Sequence, residues 1–129
     1  MTRYVVDSFA WVEYLAATPL GAKVRGIVED EGNEIFTSAL SVSEIVSRAH
    51  REGRGGRRVG ELVEGASVVV PMDFTLAVST GLVHAEVRRK VRDFPYGDAA
   101  VLAAAKRLRA RILTGDPHFR GMENVEFLA

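Results

Sequence analysis

Asp7, Glu44, Asp98 and Asp116 are the side chains best suited to chemistry in this sequence. Each has an ordinary explanation when taken singly. Asp7 follows the β-branched run Arg3-Tyr4-Val5-Val6 and fits a helix N-cap. Glu44 lies beside an apolar helical stripe, among Ser41, Ser43 and Ser47, and fits a solvated surface acid. Asp98 opens the apolar run Ala99 to Leu108, and Asp116 belongs to a turn, Thr114-Gly115-Asp116-Pro117. Gathered in one place, the four would behave differently. Two carboxylates about 6 Å apart repel by roughly 3 kcal/mol at an effective dielectric near 20. Several such pairs amount to at most about 10 kcal/mol, which rivals the roughly 5 to 15 kcal/mol that holds a typical domain folded. Such a cluster must hold protons or a cation.

With no Cys and no paired His, an all-oxygen site suits hard divalent ions, Mg²⁺ or Mn²⁺. These ions keep several waters and take phosphate oxygens alongside carboxylates, so the matching chemistry is phosphodiester hydrolysis by an activated water. No Ser-His-Asp or Cys-His arrangement competes with it.

The elements that position these acids follow from the local pattern. A helix of about a dozen residues starting at Asp98 travels roughly 18 Å. The buried strand Arg111-Ile112-Leu113 then runs back along it, placing Asp98 and Asp116 at one edge of an α/β sheet. Strands ending at Val6, Phe36 and Leu113 finish at that edge, where ligands bind in open parallel sheets. Around them the spacing predicts a first helix over Phe9 to Leu15. A second runs from Thr18-Pro19 to about Asp30, burying Leu20, Val24, Ile27 and Val28. Glu34-Ile35-Phe36 reads as a strand, and Thr37-Ser38 as the start of a third helix with Leu40, Val42, Ile45, Val46 and Ala49 on its apolar side. Arg48 to Arg58 reads as a mobile basic loop, followed by a short helix from Val59 to Gly65. Val68-Val69-Val70 is a strand of the kind covered on both faces, and Asp73 caps a long helix from Phe74 to about Val91. Val125-Glu126-Phe127 supplies the last strand. The alternation predicts an α/β fold, a parallel sheet between helical layers.

The 129 residues suffice for one domain, spanning 1–129. A hydrophobic fraction of 47% excludes disorder. The absence of Cys, of a signal-peptide layout and of any membrane-length apolar run leads us to expect a soluble, cytoplasmic protein with no membrane partner. Net charge is zero, so bulk charge does not advertise nucleic acid. The cations are nevertheless almost all arginines, which suit bidentate phosphate contacts, although a general composition bias explains them equally well. Two basic segments, Arg48 to Arg58 and Arg88 to Arg92, are either solvated or guide a phosphate backbone. The glycines of the first do not complete a dinucleotide fingerprint, because Arg58 stands where the third would be.

Four motifs in order carry a resemblance: Val5-Val6-Asp7-Ser8, Ser43-Glu44-Ile45, Tyr96-Gly97-Asp98-Ala99 and Leu113-Thr114-Gly115-Asp116-Pro117-His118-Phe119. The whole chain resembles a PIN domain, and in size and layout the VapC-type toxin ribonucleases of toxin–antitoxin pairs. That resemblance implies a three-layer α/β/α fold with sheet order 3-2-1-4-5, and Mg²⁺- or Mn²⁺-dependent cleavage of RNA. It also implies a homodimer, and an antitoxin protein whose tail covers the site. The family's acids carry over to Asp7, Glu44, Asp98 and Asp116, and its accompanying hydroxyls to Ser8 and Thr114, which orient the acids or a water. One position departs. Where many relatives have Asp or Asn two residues after the last aspartate, this chain has His118, which puts a second metal in doubt. We read His118 as a satisfied loop histidine in preference to a Mn²⁺ ligand or proton carrier, and His50 and His84 as helix-surface residues without a role.

The alternative reading is a non-catalytic PIN-like module that binds RNA or protein, although such a module has little use for four mutually repelling acids. A phosphoryl-accepting domain using Asp7 as nucleophile fits worse, since Asp7 stands without a paired acid and position 9 is Phe9.

Overall fold

A computed structural model describes residues 1–128. Five strands, β1 (Thr2–Val6), β2 (Asn33–Ser38), β3 (Val68–Val70), β4 (Arg111–Thr114) and β5 (Val125–Phe127), form one sheet in the order β3-β2-β1-β4-β5. Every neighbouring pair is parallel. The helices are α1 (Ser8–Ala16), α2 (Pro19–Val28), α3 (Ala39–Arg51), α4 (Gly56–Ala66), α5 (Phe74–Val87) and α6 (Tyr96–Leu108).

Strand alternation divides the core in two. Tyr4 and Val6 of β1 pack with Trp11, Val24, Ile45, Val59 and Val63, so α1 to α4 cover one face. Val5, between them, packs with Phe94, Ala99, Val101, Ala104, Ile112 and Phe119, so α6 lies on the other. The alanine-rich sequence of α6 lets that helix sit close against the sheet, and eight of its residues are buried. Trp11, fully buried, has its indole N–H satisfied by Thr37 Oγ1 at 3.0 Å. The chain thus builds β1, β2 and β3 outward in one direction, then crosses back to place β4 on the other side of β1. The reversal leaves a crevice between the ends of β1 and β4, the position where open α/β sheets bind ligands.

Several local expectations need correction. Thr37 and Ser38 extend β2, paired with Val69 and Val70, and α3 begins after them with Ser38 as its N-cap. Arg48 to Arg58 is mostly helical: Arg48 and Arg51 lie in the last turn of α3, and Arg57 and Arg58 in the first of α4. The connection is tight because Gly53 and Gly55 take φ of +70° and +72°. Gly56 also allows close packing, since a Cβ there would stand 2.8 Å from the Val46 carbonyl oxygen. α5 ends at Val87 rather than near Val91, and α6 begins at Tyr96, two residues before Asp98. No described helix is long and apolar enough to cross a membrane.

Candidate active site

The crevice between β1 and β4 is stitched together by the acids and their neighbours. Asp7 directly follows β1, and its backbone N–H continues the pairing by donating to the Leu113 carbonyl at 3.2 Å. Its Oδ1 caps α1, accepting from Ala10 N at 2.9 Å. Its Oδ2 accepts from the Thr114 hydroxyl at 2.5 Å. Thr114 Oγ1 in turn accepts from the backbone N–H of Asp116 at 2.9 Å. Asp116 caps the 3-10 turn Pro117–Phe119, with Oδ1 accepting from His118 N at 2.9 Å. One buried hydroxyl therefore orients Asp7 and the loop that carries Asp116.

α6 brings Asp98 to the same place. Asp98 occupies the first turn, 8% exposed, with Oδ2 2.9 Å from His118 Nδ1. The same ring nitrogen stands 3.1 Å from Asp116 Oδ1. One donor atom each from Asp98, Asp116 and His118 lie within 4.8 Å of one another, close enough to share an ion. Asp7 and Glu44 are not part of that tight trio. Glu44 reaches over from α3 and rests its carboxylate against the Cα of Gly97, in the position a Cβ would occupy. The residue as a whole is exposed, but its carboxylate is tucked between α3 and α6. Ser8, at the start of α1, lies beside that carboxylate.

The electrostatics match this crowding. Desolvation lifts the Asp7 carboxyl to about 7, against hydrogen bonds from Thr114 and Ala10, with the charges of Asp98 and Asp116 adding to the rise. Asp98 is raised to about 6, first by burial and then by Asp116, with His118 opposing. Glu44 is raised by desolvation of its carboxylate and by Asp98 and Asp116, while Ser8 acts the other way. For His118, burial disfavours the charged ring, but the Asp98 hydrogen bond and the nearby carboxylates outweigh it and the net shift is upward. Among the described residues, no Lys or Arg pairs with any of the four acids. A set of carboxylates with no partner among these side chains other than the His118 imidazole fits a divalent ion through its donor chemistry.

Sequence reasoning favours a satisfied loop histidine at position 118 over a ligand or proton carrier, and the structure holds its ring between Asp98 and Asp116. The available signal was its spacing, two residues past Asp116 in a turn too tight to swing away. Gly97 was also missed as more than part of a motif; a glycine in the first turn of a helix, where most residues would serve better, marks a close approach. His84 is not a surface residue: it is 9% exposed and stacks on Tyr96, with ring centroids 3.8 Å apart. Nothing in this arrangement brings it to the acids.

Comparison with known proteins places the fold. Solved structures align along the whole chain despite low identity. DNA-bound VapBC from Salmonella typhimurium matches at 17% identity and TM-score 0.74, covering 100% of both chains. VapBC2 from Rickettsia felis, bound to a promoter DNA fragment, matches at 13% and 0.73, covering 99% of this chain and 100% of the other. VapC20 from Mycobacterium tuberculosis, described as a Sarcin-Ricin loop cleaving toxin, matches at 17% and 0.72, covering 99% and 100%. No curated protein matches the sequence. The model of the PIN domain family matches residues 4–125, nearly the whole chain, and the sheet order is the one expected of that fold; this protein belongs to the PIN domain family.

Proposed function

We propose that this protein is a divalent-metal-dependent endoribonuclease, acting in the cytoplasm as the toxin of a toxin–antitoxin pair. The observation that carries the proposal is the gathering of Asp7, Glu44, Asp98 and Asp116 at one sheet edge with no Lys or Arg among the described residues to neutralise them. Asp7, Glu44, Asp98 and Asp116 would hold Mg²⁺ or Mn²⁺, with Ser8 and Thr114 in support. When bound, such an ion stabilises negative charge on a phosphodiester and acidifies a water.

The chain's own residues do the rest. Thr114 fixes Asp7 by its hydroxyl and Asp116 through the backbone, so neither carboxylate has to reorganise during the reaction. Glu44 is the most exposed of the four and has an elevated proton affinity, which suits it to accept the proton of the attacking water. The water oxygen bonds to phosphorus as the ester bond to the leaving oxygen breaks, and that oxygen takes a proton from bulk water as it departs. RNA as substrate rests on the resemblance to VapC-type toxins, and the likeness to VapC20 supports it. The antitoxin partner is supported by the VapBC assemblies with the same fold. A homodimer is supported by the exposed apolar stripe Phe74, Val78 and Leu82 on α5, and a monomer in sedimentation would remove that part.

The decisive experiment is cleavage of labelled RNA by the wild type with Mn²⁺ or Mg²⁺, with chelator, and by Asp98→Asn. Activity is expected only with metal and the intact acid, with a loss of at least about 10²-fold in the variant. Cleavage that survives chelation or the substitution refutes the mechanism, and no cleavage under any condition leaves the non-catalytic binding module.

A further inference from the structure

His118 is held at its backbone, at Nδ1 and against the Phe94 ring. Its backbone N–H is tied to Asp116, and its ring meets the edge of Phe94 with centroids 6.1 Å apart. Nδ1 points between Asp98 Oδ2 at 2.9 Å and Asp116 Oδ1 at 3.1 Å, while Nε2 faces Asp93 Oδ1 at 3.6 Å. A ring nitrogen aimed between two carboxylates has two possible uses. It donates a proton to them, or it turns a lone pair to a cation that they share. The second use has a recurring signature: the nitrogen that does not bind metal faces a carboxylate or carbonyl that orients the ring. Asp93 stands on that side, but at 3.6 Å with its side chain 85% exposed it is a neighbour of Nε2 and not a hydrogen-bond partner.

We propose that His118 Nδ1 is a nitrogen ligand of the cation site, beside Asp98 and Asp116, and that it makes the site selective for Mn²⁺ over Mg²⁺. The inference rests on reading the acid cluster as a divalent-ion site. Mg²⁺ demands hard oxygen donors in near-ideal octahedral geometry and gives up water reluctantly. Imidazole nitrogen is a donor for first-row transition ions, among which Mn²⁺ still accepts a carboxylate-rich shell. One nitrogen among oxygens therefore widens the preference for Mn²⁺ beyond what carboxylates alone would give.

Thermal unfolding of the full chain, titrated separately with MnCl₂ and MgCl₂, tests the selectivity without any need for turnover. The wild type should respond to Mn²⁺ at a concentration lower than for Mg²⁺ by roughly tenfold or more, the scale on which changes around a metal ligand act. His118→Asp restores an all-oxygen set and should narrow the gap between the two responses several-fold. Electron spin-echo envelope modulation of bound Mn²⁺ reads the ligand directly in the wild type, independently of how well the variant folds. A ¹⁴N coupling from imidazole is expected there and should be lost in His118→Asp. Absence of that coupling in the wild type, or an unchanged ion preference in the variant, overturns the nitrogen ligand and leaves the acid site standing. If neither ion stabilises the wild type, the cation reading itself fails and takes this inference with it.

Discussion

Gly97→Ala offers a way to move one carboxylate without removing any acid. A Cβ at position 97 would lie 2.8 Å from Glu44 Cδ and 2.9 Å from Oε1, with Oε2 nearer still. Ordinary carbon contacts begin near 3.5 Å, so the Glu44 carboxylate has to retreat by about 1 Å. It can do so cheaply, because it is the far end of a flexible side chain and the residue as a whole is exposed. The backbone raises no objection, since Gly97 is not among the residues with positive φ. Alanine is better than glycine in a helix by about 0.5 to 1 kcal/mol in the interior, and less in a first turn. Stability should therefore stay level or rise slightly. Activity should fall by roughly 10²-fold, the cost of a misplacement of about 1 Å in a reacting group. Initial cleavage rates with Mn²⁺, measured beside Tm, separate the two effects. Gly26→Ala is the control, because a Cβ there meets nothing within 4 Å. Full activity in Gly97→Ala would show that the seat of Glu44 over α6 is not used. A large loss of stability would show that something other than Glu44 has to give way.

Thr114→Val should cost about 1 to 3 kcal/mol in urea denaturation, because it strips a hydrogen bond from the buried Asp7 carboxylate and another from Asp116 N–H. Thr114→Ser should recover most of it, and a valine variant as stable as wild type would contradict the role given to this hydroxyl. Stability in chelator should fall as pH rises from about 4 to above 7. Asp7 and Asp98 titrate near 7 and 6 in the folded protein against 3.8 ordinarily, so across that window the folded state holds more protons than the unfolded one. The upward shift of His118 acts in the same direction above its ordinary 6.5. The Tm gain from Mn²⁺ should be larger at pH 8 than at pH 5, where protons compete for the ligands. A chelated Tm that climbs over this range would contradict the crowding of the acids.

How much of this was legible in the sequence depended on the range of the forces involved. Strand, acid and helix at Val6, Asp7 and Ser8 are local: a β-branched run ends, a carboxylate satisfies a free N–H, and a helix starts. The same holds for Thr18 before Pro19 and Asp73 before α5, which cap their helices as expected. The apolar runs of β1 and β4 required cover on both faces, and a parallel sheet between helices provides it; β3 read the same way, but it is an edge strand and leaves Val68 60% exposed. Other features belong to partners distant in the chain. Thr37 and Ser38 remain in β2 because β3 pairs beside them, and the arginine-rich segment is helical because α3 and α4 close tightly at Gly56. His84 is buried by its stack against Tyr96. The identity and order of the acids were written in the sequence, since residue type and turn chemistry are short-range properties. Only the tertiary structure decided that His118 points between Asp98 and Asp116 and that Glu44 rests on Gly97. Those contacts depend on how far α6 and the loop after β4 reach around the end of β1, which packing sets and no local pattern encodes.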